Sequence, residues 1–211
     1  MPHLPITRRR FLLASAVAAA GAPLARGVEE GFTPLFNGQS LAGWEGDPLL
    51  WVVEDGMLIG RSPGISYNDF LATQKSFSNF ILRFQVQLVE NKGNSGVQFR
   101  SERVTGSMEM IGYQADVGPE YWGNLYDESR RKTNLAAVDP KVLKKALKPT
   151  DWNDYEVHAE GPHVVLKING ATTVDYTEAD SSVQPTGRIA VQIHSGPAME
   201  VRFRDIRMKE L

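Results

Sequence analysis

Between Gly112 and Arg131 the chain reads GYQADVGPEYWGNLYDESRR. This one span gathers an amide (Gln114), carboxylates (Asp116, Asp127, Glu128), polar-tipped aromatics (Tyr121, Trp122, Tyr126) and two guanidinium groups (Arg130, Arg131). Read as a strand, Gly112 to Val117 sets Tyr113, Ala115 and Val117 on one face and Gln114 and Asp116 on the other, because strand side chains alternate with period two. The following PEYWGNLYDESRR is punctuated by Pro and Gly and reads as a loop. A loop leaving a polar-faced strand is a favoured place for a site.

Two other short strands repeat the pattern. In Gly96 to Arg100, Val97 and Phe99 share one face while Gln98 and Arg100 share the other; in Gly187 to His194, Ile189, Val191 and Ile193 oppose Gln192 and His194. If the three strands are neighbours in one sheet, its outer surface is a groove floored by amides, a carboxylate, an Arg and a His, and rimmed by Tyr121, Trp122 and Tyr126. Such a groove suits a carbohydrate, whose hydroxyls take paired hydrogen bonds and whose ring faces stack on aromatics. The same residue types are common on the solvated face of a sandwich.

The elements that must carry these residues are mostly strands. Phe80, Leu82, Phe84, Val86 and Leu88 alternate strictly with Ile81, Arg83, Gln85 and Gln87, the most secure strand in the chain. Trp51–Glu54 and Met57–Gly60 flank Asp55-Gly56, and Val164–Ile168 meets Ala171–Tyr176 across Asn169-Gly170, both signals for tight hairpins. Gly31 to Trp44 reads as a short edge strand and loop, and Trp152 to Glu160 as a strand. Met199 to Leu211 closes the chain with a bulge near Asp205, where the apolar alternation slips. One short helix is expected in DPKVLKKALKP, with Asp139 as N-cap, Pro140 at the first position, Val142, Leu143, Ala146 and Leu147 on one side, and lysines on a solvated face. About nine or ten strands with one helix argue for an all-β sandwich of two antiparallel sheets.

Composition narrows the chemistry. With 42% hydrophobic residues and a net charge of −2 over 211 residues, the chain has an ordinary globular composition and no electrostatic footprint for nucleic acid. It has no cysteine, which removes disulfides, zinc-thiolate sites and a thiol nucleophile. The beginning, Thr7-Arg8-Arg9-Arg10-Phe11-Leu12 followed by an Ala-rich apolar run, is expected to be a twin-arginine secretory signal over 1–27. Its apolar run is shorter than the roughly 20 residues that span a bilayer, so no stable membrane span is expected after cleavage. One domain then occupies 28–211, in the periplasm or secreted from a bacterium.

Several motifs in order, LFNGQSLAGW, WVVEDGMLIG, GNSGVQFR, GYQADVG with NLYDESRR, WNDYEVHAEG followed by LKINGATTVDY, and FRDIRMKEL, resemble the 3-keto-disaccharide hydrolase domain family, formerly a domain of unknown function. The likeness runs from about Gly31 to Leu211 and departs at Asp151 before Trp152, where Glu is more usual. It implies a concanavalin A-like jelly-roll sandwich and an exported role in breaking unusual glycosides, with a sugar 3-dehydrogenase as the upstream pathway partner.

The implied chemistry has a physical logic. A ketone at carbon 3 of a sugar acidifies the proton on carbon 2, the aglycone oxygen on carbon 1 leaves by elimination, and water adds back. This needs a base, an enolate stabiliser and an acid. Asp116, Glu128 and His194 are the candidate base and acid, with His194 favoured because imidazole titrates near neutrality. Arg100 or Arg130 could stabilise the enolate, and Gln98, Gln114, Gln192, Tyr126 and Trp122 could hold the ring. No cofactor is required, although a divalent cation is possible.

Three alternatives stand beside this reading. A conventional glycosidase would need a carboxylate pair about 5 to 9.5 Å apart. A non-catalytic lectin-like module could use the same fold and groove, although titratable groups at Asp116, Asp127, Glu128 and His194 exceed what binding alone needs. A calcium-stabilised sandwich would use Asp127 and Glu128.

Overall fold

The computed structural model describes residues 29–211, so the expected signal over 1–27 lies outside the described residues. In chain order the elements are β1 (Thr33–Pro34), β2 (Trp44–Glu45), β3 (Trp51–Glu54), β4 (Met57–Ile65), β5 (Asp69–Phe77), β6 (Phe80–Leu88), β7 (Ser95–Arg103), β8 (Met110–Val117), β9 (Leu125–Glu128), β10 (Thr133–Ala136), α1 (Pro140–Ala146), β11 (Asn153–Glu160), β12 (His163–Ile168), β13 (Ala171–Thr177), β14 (Gly187–Ile193) and β15 (Gly196–Glu210).

Local chemistry accounts for most of these boundaries. Asp55 and Gly56, and likewise Asn169 and Gly170, have positive φ, as the tight β3–β4 and β12–β13 turns require. The Asp139 side chain accepts a hydrogen bond from the Lys141 N–H and caps α1, whose first residue is Pro140. Asp205, at φ 52°, marks the expected bulge, where the pairing of β15 with β6 shifts between Arg204 and Arg207.

The strands form two antiparallel sheets. The back sheet runs β13-β12-β11-β6-β15-β4-β3, with β1 added on β15, and the front sheet runs β10-β9-β8-β7-β14-β5-β2. The core lies between them. Phe80, Leu82, Phe84, Val86 and Leu88 of β6 are all buried, Phe84 stacks on Tyr155 at 5.2 Å, and Phe99 stacks on Tyr113 at 5.5 Å. Each such side chain contributes about 1.5–3 kcal/mol by leaving water, so the facing sides of the two sheets are held tightly. The expected jelly-roll sandwich with one short helix is what the chain forms.

The strand pairing decides where the polar residues go. In the front sheet β14, β7 and β8 are adjacent, with Ala190 opposite Gln98, Gln98 opposite Gln114, and Gly96 opposite Asp116. The three polar-faced strands therefore share one surface. That surface is more enclosed than the sequence suggests: Gln98, Gln114, Asp116 and Gln192 are buried there beside a small apolar cluster of Phe70, Ala72, Met110 and Ala190.

The expected loop after β8 is corrected in its second half. Leu125 to Glu128 pairs with β8, and a turn with positive φ at Ser129 and Lys132 leads back into β10. The Pro and Gly signals belong to Pro119 and Gly123, ahead of that strand. Among the described residues no helix is long and apolar enough to cross a membrane.

Candidate active site

A pocket of about 200 Å³ opens on the front sheet, lined by Asn94, Gln114, Asp116, Tyr121, Tyr126, Glu128, Asn134 and His194. Strands and their ends place seven of these eight residues. Gln114 and Asp116 share the outer face of β8, and Tyr126 and Glu128 share that of β9, with Tyr126 paired to Gln114 and to Asn134 of β10. Asn94 precedes β7 and His194 follows β14, and the His194 N–H donates to the Asn94 carbonyl at 3.2 Å, which joins the two strand ends. Gly96 keeps the floor low: a β-carbon there would fall 2.6 Å from the Gln114 side chain.

The carboxyl groups are electrostatically unusual. Burial pushes Asp116 up to about 8, against a partial lowering by the Gln114 amide, which donates to Asp116 Oδ1 at 2.9 Å; the nearby Glu128 charge adds to the rise. Glu128 is also raised, first by burial and then by Glu109, while His194 and a backbone N–H pull it down. At neutral pH Asp116 is thus largely a neutral acid, able to donate a proton or a hydrogen bond.

His194 is fixed by its neighbour. Its Nδ1 lies 2.7 Å from the Ser195 carbonyl oxygen, which can only accept, so Nδ1 carries the proton and Nε2 of the neutral ring is left with its lone pair. The Ser195 N–H in turn donates to Asn68 Oδ1 at 2.9 Å. Asn68 therefore anchors the segment that orients the imidazole.

Other expected site residues go elsewhere. Arg100 adopts φ 48° at a bulge, which breaks the alternation, and its guanidinium donates to the Ser78 and Gly161 carbonyls and to Asn79 Oδ1. It clamps the β5–β6 connection between the sheets and the β11–β12 turn, and does not line the pocket. Trp122 is buried in the core and donates from Nε1 to Asn91 Oδ1 at 2.9 Å, so Tyr121 and Tyr126 are the aromatics of the pocket.

Arg130 lies over the Tyr113 ring and pairs with Asp127 at 2.9 Å on the core side of β9. Gln98 sits beneath the pocket, donating to Gln114 Oε1 at 2.9 Å, and so reaches it only through Gln114. Gln192 is fully buried near Glu128, where its amide helps lower that carboxyl, yet neither of its side-chain polar atoms closes a hydrogen bond of good geometry.

A shared calcium site at Asp127 and Glu128 is excluded by the strand itself. Consecutive residues of β9 point to opposite faces, and Asp127 is wholly buried against Arg130 and Arg131. Among the described residues no three His, Asp or Glu side chains stand close enough to share a metal ion. Asn94 and Asn134 are pocket residues that the sequence reading passed over. The available signal was the turn NKGNSG for Asn94 and the alternation leading back from Tyr126 for Asn134.

A larger hollow of about 670 Å³ lies over the back sheet, lined in part by Phe32, Arg83, Glu156, Lys167 and Arg207. Its charges are committed to one another: Glu156 takes Arg83 at 2.6 Å and Lys167 at 2.8 Å, and Glu29 takes Arg83 and Arg207. The smaller front pocket is the better candidate because its acid, base and amides face one enclosed space.

Residues 31–209 match the model of the 3-keto-alpha-glucoside-1,2-lyase-like domain. The chain belongs to that family. The lyase-like domain is similar in structure to a candidate glycosyl hydrolase from Parabacteroides distasonis, with TM-score 0.66 and 22% identity over 86% of this chain and 94% of that one. It is also similar to a carbohydrate-binding module from Bacillus subtilis, with TM-score 0.62 and 15% identity over 80% and 96% of the two chains. A Bacillus subtilis protein of unknown function with a galectin-like fold gives TM-score 0.64 and 15% identity over 85% and 94%. At these identities the structural likenesses establish the fold of the lyase-like domain. Comparison with curated proteins gives no significant match.

Proposed function

We propose that this protein cleaves 3-keto-glycosides by removing the carbon-2 proton, eliminating the carbon-1 substituent and adding water. The observation that carries the proposal is a buried carboxylic acid and an imidazole, oriented through its Nδ1 contact with the Ser195 carbonyl, in the same pocket. In this reading His194 Nε2 takes the carbon-2 proton while neutral Asp116 donates a hydrogen bond to the carbon-3 oxygen as it becomes an enolate. A carboxyl group kept neutral by burial can serve such an oxyanion. Tyr126 stands beside it. The enolate electrons then form the carbon-1 to carbon-2 double bond, the carbon-1 to oxygen bond breaks, and the imidazolium returns its proton to the departing oxygen. Glu128 stabilises the imidazolium between the two transfers.

The family supports the coarse reading of carbohydrate chemistry. Export through the segment 1–27 would put the enzyme in the periplasm or outside the cell, and a dehydrogenase that oxidises carbon 3 would supply its substrate.

The test is mass spectrometry of products after incubation with matched glucosides, one set intact and one oxidised at carbon 3, in deuterated water. Cleavage of only the oxidised set, with one deuterium at carbon 2 of the released sugar, is expected. Saturable binding of both sets with cleavage of neither would instead make the protein a carbohydrate-binding module. Cleavage of the intact set would point to a two-carboxylate glycosidase.

A further inference from the structure

Beneath the pocket, three hydrogen bonds run in one direction. The Ser101 hydroxyl donates to Gln98 Oε1 at 2.6 Å, Gln98 Nε2 donates to Gln114 Oε1 at 2.9 Å, and Gln114 Nε2 donates to Asp116 Oδ1 at 2.9 Å. All four side chains are buried. The bulge at Arg100 makes the chain possible, since with φ 48° there the residue after it turns back onto the face of Gln98, and the β7–β8 register shifts between Phe99 and Glu102. Gly112 leaves room for the hydroxyl, for a β-carbon at that position would lie 2.2 Å from Ser101 Oγ.

We propose that Ser101 is a positioning residue that sets the direction of this amide wire and so confines the proton of Asp116 to Oδ2, away from Gln114 and available to the substrate. The role rests on the reaction proposed above, but the wire itself does not.

The argument is one of donor counting. Each amide has an oxygen end and an N–H end, so turning Gln98 alone would set its oxygen against Gln114 Oε1, and turning Gln114 alone would set its nitrogen against Gln98 Nε2, in a buried space. Only two arrangements satisfy the wire. In the one described, Asp116 Oδ1 accepts. In the reverse, both amides turn, Asp116 spends its proton on Gln114, and Gln98 donates to Ser101 Oγ, whose own proton goes to the Phe99 carbonyl at 3.0 Å. The shorter contact from Ser101 to Gln98, at 2.6 Å, favours the first arrangement. Without the hydroxyl, the far end of the wire has no preferred sense.

Asp116 can be followed directly. The titratable groups that face it are Glu128 and Tyr126 from β9, Tyr121 from the preceding loop, Tyr155 across the core from β11, and His194 at the end of β14. None of these is touched by changing Ser101 or Gln98.

The experiment is a carboxyl-carbon NMR titration of Asp116 in the wild type, Ser101→Ala and Gln98→Met, with melting curves to confirm folding and steady-state kinetics on a 3-keto-glucoside. Loss of directed donation to the carboxylate should raise the apparent pKa of Asp116 by about one unit in both variants. It should also lower kcat roughly tenfold with KM unchanged. A folded variant whose Asp116 titrates as in the wild type overturns the wire. Raised titration in the variants, with no turnover by any form including the wild type, upholds the wire and overturns the reaction on which its catalytic role rests.

Discussion

Asp116 and Gln114 project from the same face of β8, and the Gln114 amide nitrogen stands 2.9 Å from Asp116 Oδ1. That contact alone would hold a carboxylate ionised. Burial outweighs it, and Glu128 adds to the rise, so the folded protein keeps Asp116 near 8. The pocket therefore contains an acid that water would have deprotonated.

Asp116→Asn should separate activity from stability. Asn keeps the bond from Gln114 but offers the enolate only a weakly acidic amide N–H, so kcat on a 3-keto-glycoside should fall by at most about 10² to 10³. Stability should move the other way. A carboxyl whose folded pKa lies above its unfolded value contributes stability fully below the unfolded pKa, and that contribution is lost as pH rises through about 8. The Asn variant should match or exceed the wild type in melting temperature at pH 8 to 9. A variant less stable than the wild type there would show that Asp116 is not a buried neutral acid.

The same shift fixes the alkaline limb of activity. Because the neutral form of Asp116 is required, kcat/KM should decline as pH rises through about 8. In Asp116→Asn any residual rate should have lost that limb. An undiminished rate up to pH 9.5 in the wild type would remove Asp116 from the acid role.

The sheet architecture was legible because apolar alternation survives wherever one face is buried and the other is wet, as along Phe80 to Leu88. β5 hides for the opposite reason: Phe70 and Ala72 pack into the small outer cluster while Leu71 and Thr73 face the core, so both sides are buried and the alternation disappears. Asp127 obscures β9 in a similar way, as a carboxylate in a core-facing position that only its two arginines make tolerable. The residues of the pocket were partly visible, since period two places Gln114 with Asp116. Arg100 was misplaced because the bulge that turns it away depends on a positive φ at a non-glycine residue, which leaves no mark in composition.

Arg100→Met tests that placement. The change removes donation to Ser78, Asn79 and Gly161 that ties β7 to the β5–β6 connection and to the β11–β12 turn. A loss of about 2 to 4 kcal/mol in unfolding free energy is expected, with kcat and KM on a 3-keto-glycoside unchanged well below the melting temperature. A selective loss of kcat without loss of stability would return Arg100 to the pocket.

Asp127 and Glu128 are neighbours in sequence with opposite surroundings, so their amide variants should fail in opposite ways. Asp127→Asn takes its buried carboxylate from Arg130 and leaves Arg131 with Glu178 at 2.7 Å, and should cost about 1 to 3 kcal/mol. Its folded fraction should keep the wild-type KM. Glu128→Gln removes a carboxyl whose pKa burial and Glu109 already raise, so stability should be preserved or improved near neutral pH. Its kcat should fall, because the imidazolium at His194 loses its counter-charge. Urea unfolding and initial-rate measurements on the two purified variants distinguish these outcomes, and equal effects of both changes on stability would contradict the alternation of β9 on which the pocket is built.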